Sequence, residues 1–380
     1  KILVTNPPRE HHKGGDGHYV DVAAENAKVL ATELSRNIEE LLPHLGLLLQ
    51  GEQKQSYAFG HQLAHDLTDV VPILGLALEL LAAIEKPDIR LILGIYRGLF
   101  EQSPELWQAN VDRLVMDEKL VHLYPDFIRT GDIKKTHLDK LLELIQRGVL
   151  SPNSANALSY GSVTDCIEPD VMADFCLQLT ELGDQASWAA LNVIYMYCFS
   201  NKDSINELRD QLKHLVTAVP LHKGQENTAT DTHHWHDMAE KLLKERDEEL
   251  AVALTLQLIS ASEYGLNHGD IWSYTKPLLL SLMSDYGDVI WPIFGEAIVR
   301  AEGMDRYWLQ QLLDRETSLV GNVPSVLSVI PVESVMEWCF KQPDLGPVFV
   351  ARCLNVIETV DEIRQPSDLF VALLENFGND

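Results

Sequence analysis

The stretch Pro169-Asp170-Val171-Met172-Ala173-Asp174-Phe175-Cys176-Leu177-Gln178-Leu179-Thr180-Glu181-Leu182-Gly183 decides the fold class. Val171, Met172, Phe175, Cys176, Leu179 and Leu182 fall at i, i+1, i+4, i+5, i+8 and i+11, which is one broad apolar stripe at the helical period. Pro169 suits the first helical position, where a missing N–H costs nothing. Asp170 complements the positive end of the helix dipole, and Gly183 supplies a stop. After Asp184-Gln185-Ala186 a second apolar stretch runs from Trp188 through Leu191 to Phe199. Two helices joined by so short a turn lie antiparallel.

The same unit recurs on both sides. Lys86-Pro87-Asp88 opens a helix with Ile89, Ile92, Leu93, Tyr96 and Phe100 on one side. Ser103-Pro104-Glu105 stops it and caps the next, which carries Leu106, Trp107, Val111, Leu114 and Val115. Ser204 to Glu207 reads as a capping box before Leu208, Leu212 and Leu215, and Thr136 to Asp139 plays a similar part before Leu141 and Ile145. Further helices are expected over 233–246, 248–264, 271–283, 286–301, 305–315, 326–330, 332–341, 346–357 and 367–377. No run alternates as a half-buried strand would, and no Asn-Gly or Asp-Gly turn joins two β-rich runs. The chain is therefore expected to be all-α, with more than about 60% helix. About seventeen helices give about 45 residues per pair, inside the range of HEAT-type repeats. Residues 1–17 read as an extended lead-in, 18–219 as an N-terminal helical block, 220–232 as a polar loop and 233–380 as a C-terminal helical block. Both ends read as cut, as in a piece of a longer protein.

Charge narrows the partners. Thirty Lys+Arg stand against 57 Asp+Glu, a net charge of −27. Nucleic-acid and anionic-membrane binding both rest on basic clusters, so neither fits. A composition of 46% hydrophobic and 23% charged residues excludes wholesale disorder. The apolar run from Val70 to Ile84 is shorter than a membrane span and reads as a helix buried on most sides. The five cysteines, Cys166, Cys176, Cys198, Cys339 and Cys353, form no C-x-x-C pair, and four lie in apolar helical patterns. They read as core residues of a cytoplasmic protein.

Candidate chemistry is sparse. His61-Gln62-Leu63-Ala64-His65-Asp66 puts two histidines at i and i+4 on one helix face, where they could share a metal. Gln62 stands where the zinc-protease pattern needs a glutamate base. The His65-Asp66 doublet resembles that of the HD phosphohydrolases, and His44 lies upstream, but no downstream ligand aspartate stands out. Asp231-Thr232-His233-His234-Trp235-His236-Asp237 is the densest group of possible ligands. It opens a helix with Asp231 or Thr232 as N-cap, so adjacent histidines point to different faces unless a second element joins them. Lys13-Gly14-Gly15-Asp16-Gly17 is too short for a phosphate loop, no nucleophile elbow is present, and no motif implies a cofactor. The seven tryptophans sit at apolar helical phases and read as core anchors.

In rhythm, most of the chain resembles a HEAT/armadillo-type α-solenoid. That resemblance implies a right-handed α-α superhelix of antiparallel helix pairs. Narrower signatures are Leu158-Ser159-Tyr160-Gly161, Trp188-Ala189-Ala190-Leu191 leading to Met196-Tyr197, Ile330-Pro331-Val332-Glu333 running into Trp338-Cys339 and Pro343, and Leu373-Leu374-Glu375-Asn376-Phe377-Gly378. These are similar to helical regions of very large bacterial proteins, antiphage-defence proteins among them, that carry an effector module elsewhere. This implies a sensor or scaffold region, with an oligomer possible in the parent, and no catalytic residue carries over. The expectation is a non-catalytic module that binds a protein partner bearing a basic patch. The alternatives are an all-helical metal-dependent hydrolase using His65-Asp66 or His233, His234 and His236, and a free-standing solenoid adaptor for basic cargo.

Overall fold

Ser103 shows how the sequence punctuates its helices. Its backbone is extended, with φ −151°, and its Oγ accepts a hydrogen bond from the Leu106 N–H at 3.4 Å. Pro104 follows at the first helical position, so one helix ends at Gln102 and the next begins two residues later. The computed structural model describes residues 11–13, 19–160, 162–221, 229–263, 269–313, 325–360 and 363–378. Helix accounts for 76% of the structure, as the periodicity requires. The chain divides into two compact units, Lys1–Phe175 and Cys176–Asp380. Of the polar loop at 220–232, residues 222–228 lie outside the described residues.

The first unit runs β1 (His11–Lys13), β2 (Tyr19–Asp21), α1 (Val22–Ser35), α2 (Leu45–Leu48), α3 (Ser56–Asp66), α4 (Val71–Leu81), α5 (Arg90–Gln102), α6 (Pro104–Met116), α7 (Tyr124–Ile128) and α8 (Lys135–Gln146). Helix α9 (Pro169–Thr180) carries the division between the units. The second unit continues with α10 (Asp184–Ser200), α11 (Ser204–Glu207), α12 (Arg209–Ala218), α13 (Ala229–Leu243), α14 (Glu248–Glu263), α15 (Gly269–Arg300), α16 (Gly303–Leu313), α17 (Val332–Lys341) and α18 (Gly346–Cys353). It closes with β3 (Ile357–Val360), β4 (Ile363–Pro366) and α19 (Asp368–Phe377).

Within each unit, helices two apart in the chain repeatedly touch. Helix α3 packs on α1 and α5, α14 on α12 and α16, and α17 on α15 and α19. The closest of these seams is α3 against α5. A Cβ on Gly60 would sit 2.2 Å from the Leu91 carbonyl oxygen, and one on Gly94 would sit 2.1 Å from that of Tyr57. One turn on, a Cβ at Gly98 would meet the Ala64 Cβ at 2.6 Å. Any side chain at these places would force the two backbones apart, so the glycines set the spacing. In the second unit α10 is buried nearly all round, from Ala186 to Tyr195, as a helix enclosed by neighbours must be.

Several local expectations change. The Val70–Ile84 run is buried on one face only, through Ile73, Leu74, Ala77 and Leu81. No helix among the described residues is long and apolar enough to cross a membrane. Ser204–Glu207 is not a capping box for a longer helix; it is a one-turn helix of its own, and α12 starts afresh at Arg209. The cap near Thr136 is made instead by His137, whose Nδ1 accepts the Lys134 N–H at 3.0 Å. The expected pair 271–283 and 286–301, by contrast, holds: the run Gly269–Arg300 is two helical segments that meet at a kink at Tyr286, where φ is −131° and ψ 20°. The helix placed at 346–357 ends at Cys353; residues 354–356 are irregular, and Ile357 opens strand β3, paired antiparallel with β4. Part of the lead-in is likewise a strand, β1, paired with β2.

Candidate functional site

Helix α3 places His61 and His65 one turn apart, with ring centroids 4.8 Å apart and edge to face. Helix α5, held close by its glycines, brings Glu101 to them from its last turn. Each histidine Nε2 lies 2.9 Å from the same atom, Glu101 Oε2. The other carboxylate oxygen, Oε1, accepts from Arg97 Nε at 2.6 Å, one turn back on α5. Arg97 thus fixes the plane of the carboxylate and leaves Oε2 for the histidines. Burial on its own would raise the Glu101 carboxyl; hydrogen bonds from His65, His61 and Arg97 outweigh it and hold the group down at about 2. The Tyr57 ring lies parallel to His61 at 6.4 Å. The three ligand atoms all lie within 4.8 Å of one another, and this is the one group of at least three His, Cys, Asp or Glu with metal-holding spacing among the described residues.

The structure therefore joins His61 and His65 but separates them from Asp66. The Asp66 carboxylate turns to α1, accepting from Thr32 Oγ1 at 2.6 Å, and from Gln62 Nε2 at 3.0 Å. His44 is exposed in the short turn Leu42–His44 and takes no part. Glu101 is the residue that sequence reasoning missed. It lies 36 residues beyond His65, and only the approach of α5 reveals it.

The histidines of α13 disperse. The helix starts at Ala229, so Asp231 and Thr232 lie inside its first turn and neither is the N-cap. His233 is exposed, while His236 Nε2 lies 3.5 Å from Glu240 Oε1. His234 turns to α10, where it stacks on Tyr195 at 4.0 Å, and its Nδ1 lies 2.8 Å from Asn192 Oδ1. Asn192 Nδ2 also donates to Asp231 Oδ1 at 2.7 Å. A carboxylate can only accept, so the amide must turn its NH2 to Asp231 and its oxygen to a His234 Nδ1–H. Burial pushes the His234 imidazole down, His233 adds to this, and Asp231 and Asp237 oppose it, leaving the group at about 4. Tyr195 OH and Lys241 Nζ both bind Asp237 Oδ2, at 2.9 and 2.7 Å. The cluster is a hydrogen-bonded brace between two helices.

Other candidates resolve simply. Cys176, Cys198, Cys339 and Cys353 are buried thiols outside any disulfide, and burial pushes Cys198 and Cys339 up to about 12. Cys166 is exposed. Trp107, Trp188, Trp235, Trp291 and Trp338 are buried core anchors, whereas the side chain of Trp272 lies outside the described residues. A depression of about 650 Å³ beside the α15 kink is lined by Asp247, Glu248, Glu249, Asp285 and Asp288 among others, and is acidic.

A different surface forms between α18 and α19. Pro347, Val348, Ala351, Leu354, Val356, Phe370, Leu373, Leu374 and Phe377 line a groove of about 270 Å³. Val348, Val356 and Leu374 remain 54%, 48% and 53% exposed. Large apolar side chains left open side by side mark an interaction surface more often than a lone exposed leucine does. Exposed Phe340 packs against Phe377 at 5.3 Å, extending the apolar surface. Helix α19 adds Asp368 and Glu375 and no basic residue. No protein-family model, no curated protein and no solved structure matches the chain.

Proposed function

We propose that the chain is a non-catalytic protein-interaction module, a sensor or scaffold region, that seats an amphipathic helix of a protein partner in the α18–α19 groove. The observation that carries this reading is the groove itself, apolar inside and acidic along α19. At about 270 Å³ it falls below the usual size of a small-molecule pocket and suits one or two anchor side chains. A helix with Leu, Phe or Met anchors and Lys or Arg beside them meets both its surface and its charge. The net charge of −27 favours the same partner and makes the association weaken with salt. Contacts between alternate helices support a HEAT-like superhelix within each unit, since stacked repeats meet in that way. Four buried thiols and no disulfide suit a reducing, cytoplasmic setting. The likeness to helical regions of large bacterial defence proteins belongs to the same reading.

The hydrolase reading is less well supported. The Asp66 carboxylate turns to Thr32 and Gln62 instead of sharing a site with His65, His234 and His236 take separate partners, and His61, His65 and Glu101 line none of the cavities described above.

The test is fluorescence anisotropy with a labelled amphipathic peptide bearing Leu/Phe anchors and a Lys/Arg flank. A matched peptide with a Glu flank serves for comparison. Preferential binding of the basic peptide, lost in Val348→Asp/Leu374→Asp with an unchanged thermal melt, supports the reading. Equal binding of both peptides, or retention by the variant, overturns it. Concentration-dependent self-association lost in the same variant also overturns it, because the groove would then seat a second copy.

A further inference from the structure

We propose that His61, His65 and Glu101 form a three-ligand site for a divalent transition metal, zinc first among them, that clamps α3 to α5. The two imidazoles come from one helix and the carboxylate from another, so no single segment makes the site. Tetrahedral zinc with bonds of about 2.0–2.1 Å sets its ligand atoms about 3.4 Å apart. The present separations lie close to that value, with both Nε2 atoms 2.9 Å from Oε2 and no two ligand atoms more than 4.8 Å apart. Shifts on the order of an ångström therefore convert the hydrogen-bonded cluster into a coordination shell.

Each neutral histidine contributes an Nε2 lone pair once its proton sits on Nδ1. Glu101 contributes Oε2 alone, because Arg97 holds Oε1. The two nitrogens and single carboxylate oxygen suit zinc, nickel or copper and disfavour calcium and magnesium, which prefer six or more oxygens. Roughly a third of each side chain faces solvent, so ions reach the site and water completes the shell. Both helices are rigid here because their backbones meet at Gly60, Gly94 and Gly98.

The experiment uses the full chain without a histidine tag, stripped with EDTA and titrated with zinc by calorimetry. One zinc per chain is expected, with affinity lowered more than about tenfold in His65→Ala and in Glu101→Gln, and about tenfold in Arg97→Met, which only orients the carboxylate. The wild type, and not His61→Ala/His65→Ala, is expected to melt at a higher temperature with zinc. Should the alanine variants be unfolded, His65→Gln and the visible spectrum of the wild type with cobalt(II) decide the matter. Intense tetrahedral bands support the site, and the pale spectrum of free cobalt overturns it. Absence of stoichiometric zinc overturns the proposal, and so does zinc that survives His61→Ala/His65→Ala but is lost in His233→Ala.

Discussion

Helix α13 offers three histidines within four residues, and α3 offers two within five. The richer helix makes no common site, whereas the poorer one does. The difference lies in what each packs against. Beside α3, a glycine seam lets α5 approach until one carboxylate oxygen is within 2.9 Å of both rings. Beside α13, α10 presents Asn192 and Tyr195, which engage His234; His233 only edges the same tyrosine ring at 6.4 Å, and His236 pairs along its own helix with Glu240. Ligand density along a sequence matters less than the distance at which a neighbouring backbone runs.

The comparison breaks most severely at the seam. Gly94→Val places a branched side chain where even a Cβ meets the Tyr57 carbonyl at 2.1 Å. It is expected to destabilise the first unit by about 3 kcal/mol or more, read as a lower denaturant midpoint, and to abolish the joint contact of His61 and His65 with Glu101. An unchanged midpoint would show that the seam does not set the spacing. In the other region, Asn192→Ala removes the amide that bridges the Asp231 carboxylate and the His234 imidazole. A loss of about 2 kcal/mol is expected, because two hydrogen bonds go at once and one of them is to a carboxylate. A smaller loss, about 1 kcal/mol, is expected for Tyr195→Phe, because Lys241 still pairs with Asp237.

The smallest effect is acid-linked, since solvent screens the half-buried His234 ring. Its folded pKa of about 4 lies below the ordinary 6.5, so the unfolded chain binds a proton more readily between those values. Stability from this group is complete above pH 6.5 and is lost as the pH falls toward 4. The groups that face it are Asn192 and Tyr195 from α10, and Asp231, His233 and Asp237 on its own helix. In His234→Gln the midpoint measured across this window should fall less than in the wild type; an identical fall would assign the acid sensitivity to another group.

Much of the architecture is legible in the residues. Helical periodicity marks Met172, Phe175, Cys176 and Leu179, which are all buried, and Ser103-Pro104 marks a helix junction to the residue. The β3–β4 hairpin was harder to see. Ile357, Thr359, Val360 and Ile363 favour strands, but the strands are short and Asp361-Glu362 between them carries no glycine signal. At the metal-ligand cluster, the pairing of His61 with His65 follows from helical spacing alone. Glu101 does not, because no local pattern says which later helix returns to α3. The nearest available hint was the match of small residues one turn apart, Gly60 with Ala64 and Gly94 with Gly98, which permits close crossing. The α18–α19 groove was hidden for another reason. Val348 and Leu374 read as ordinary members of apolar stripes, and only packing shows that about half of each stays exposed among the described residues.

The distribution of thiols gives the molecule a built-in clock. Cys166, the exposed one, lies in the first unit, and all four buried ones lie in the second. A maleimide reagent added to the native chain should therefore consume one thiol at once. Each later equivalent can react only when the helices that bury these thiols open, so the pace of alkylation times that local opening without any engineered label.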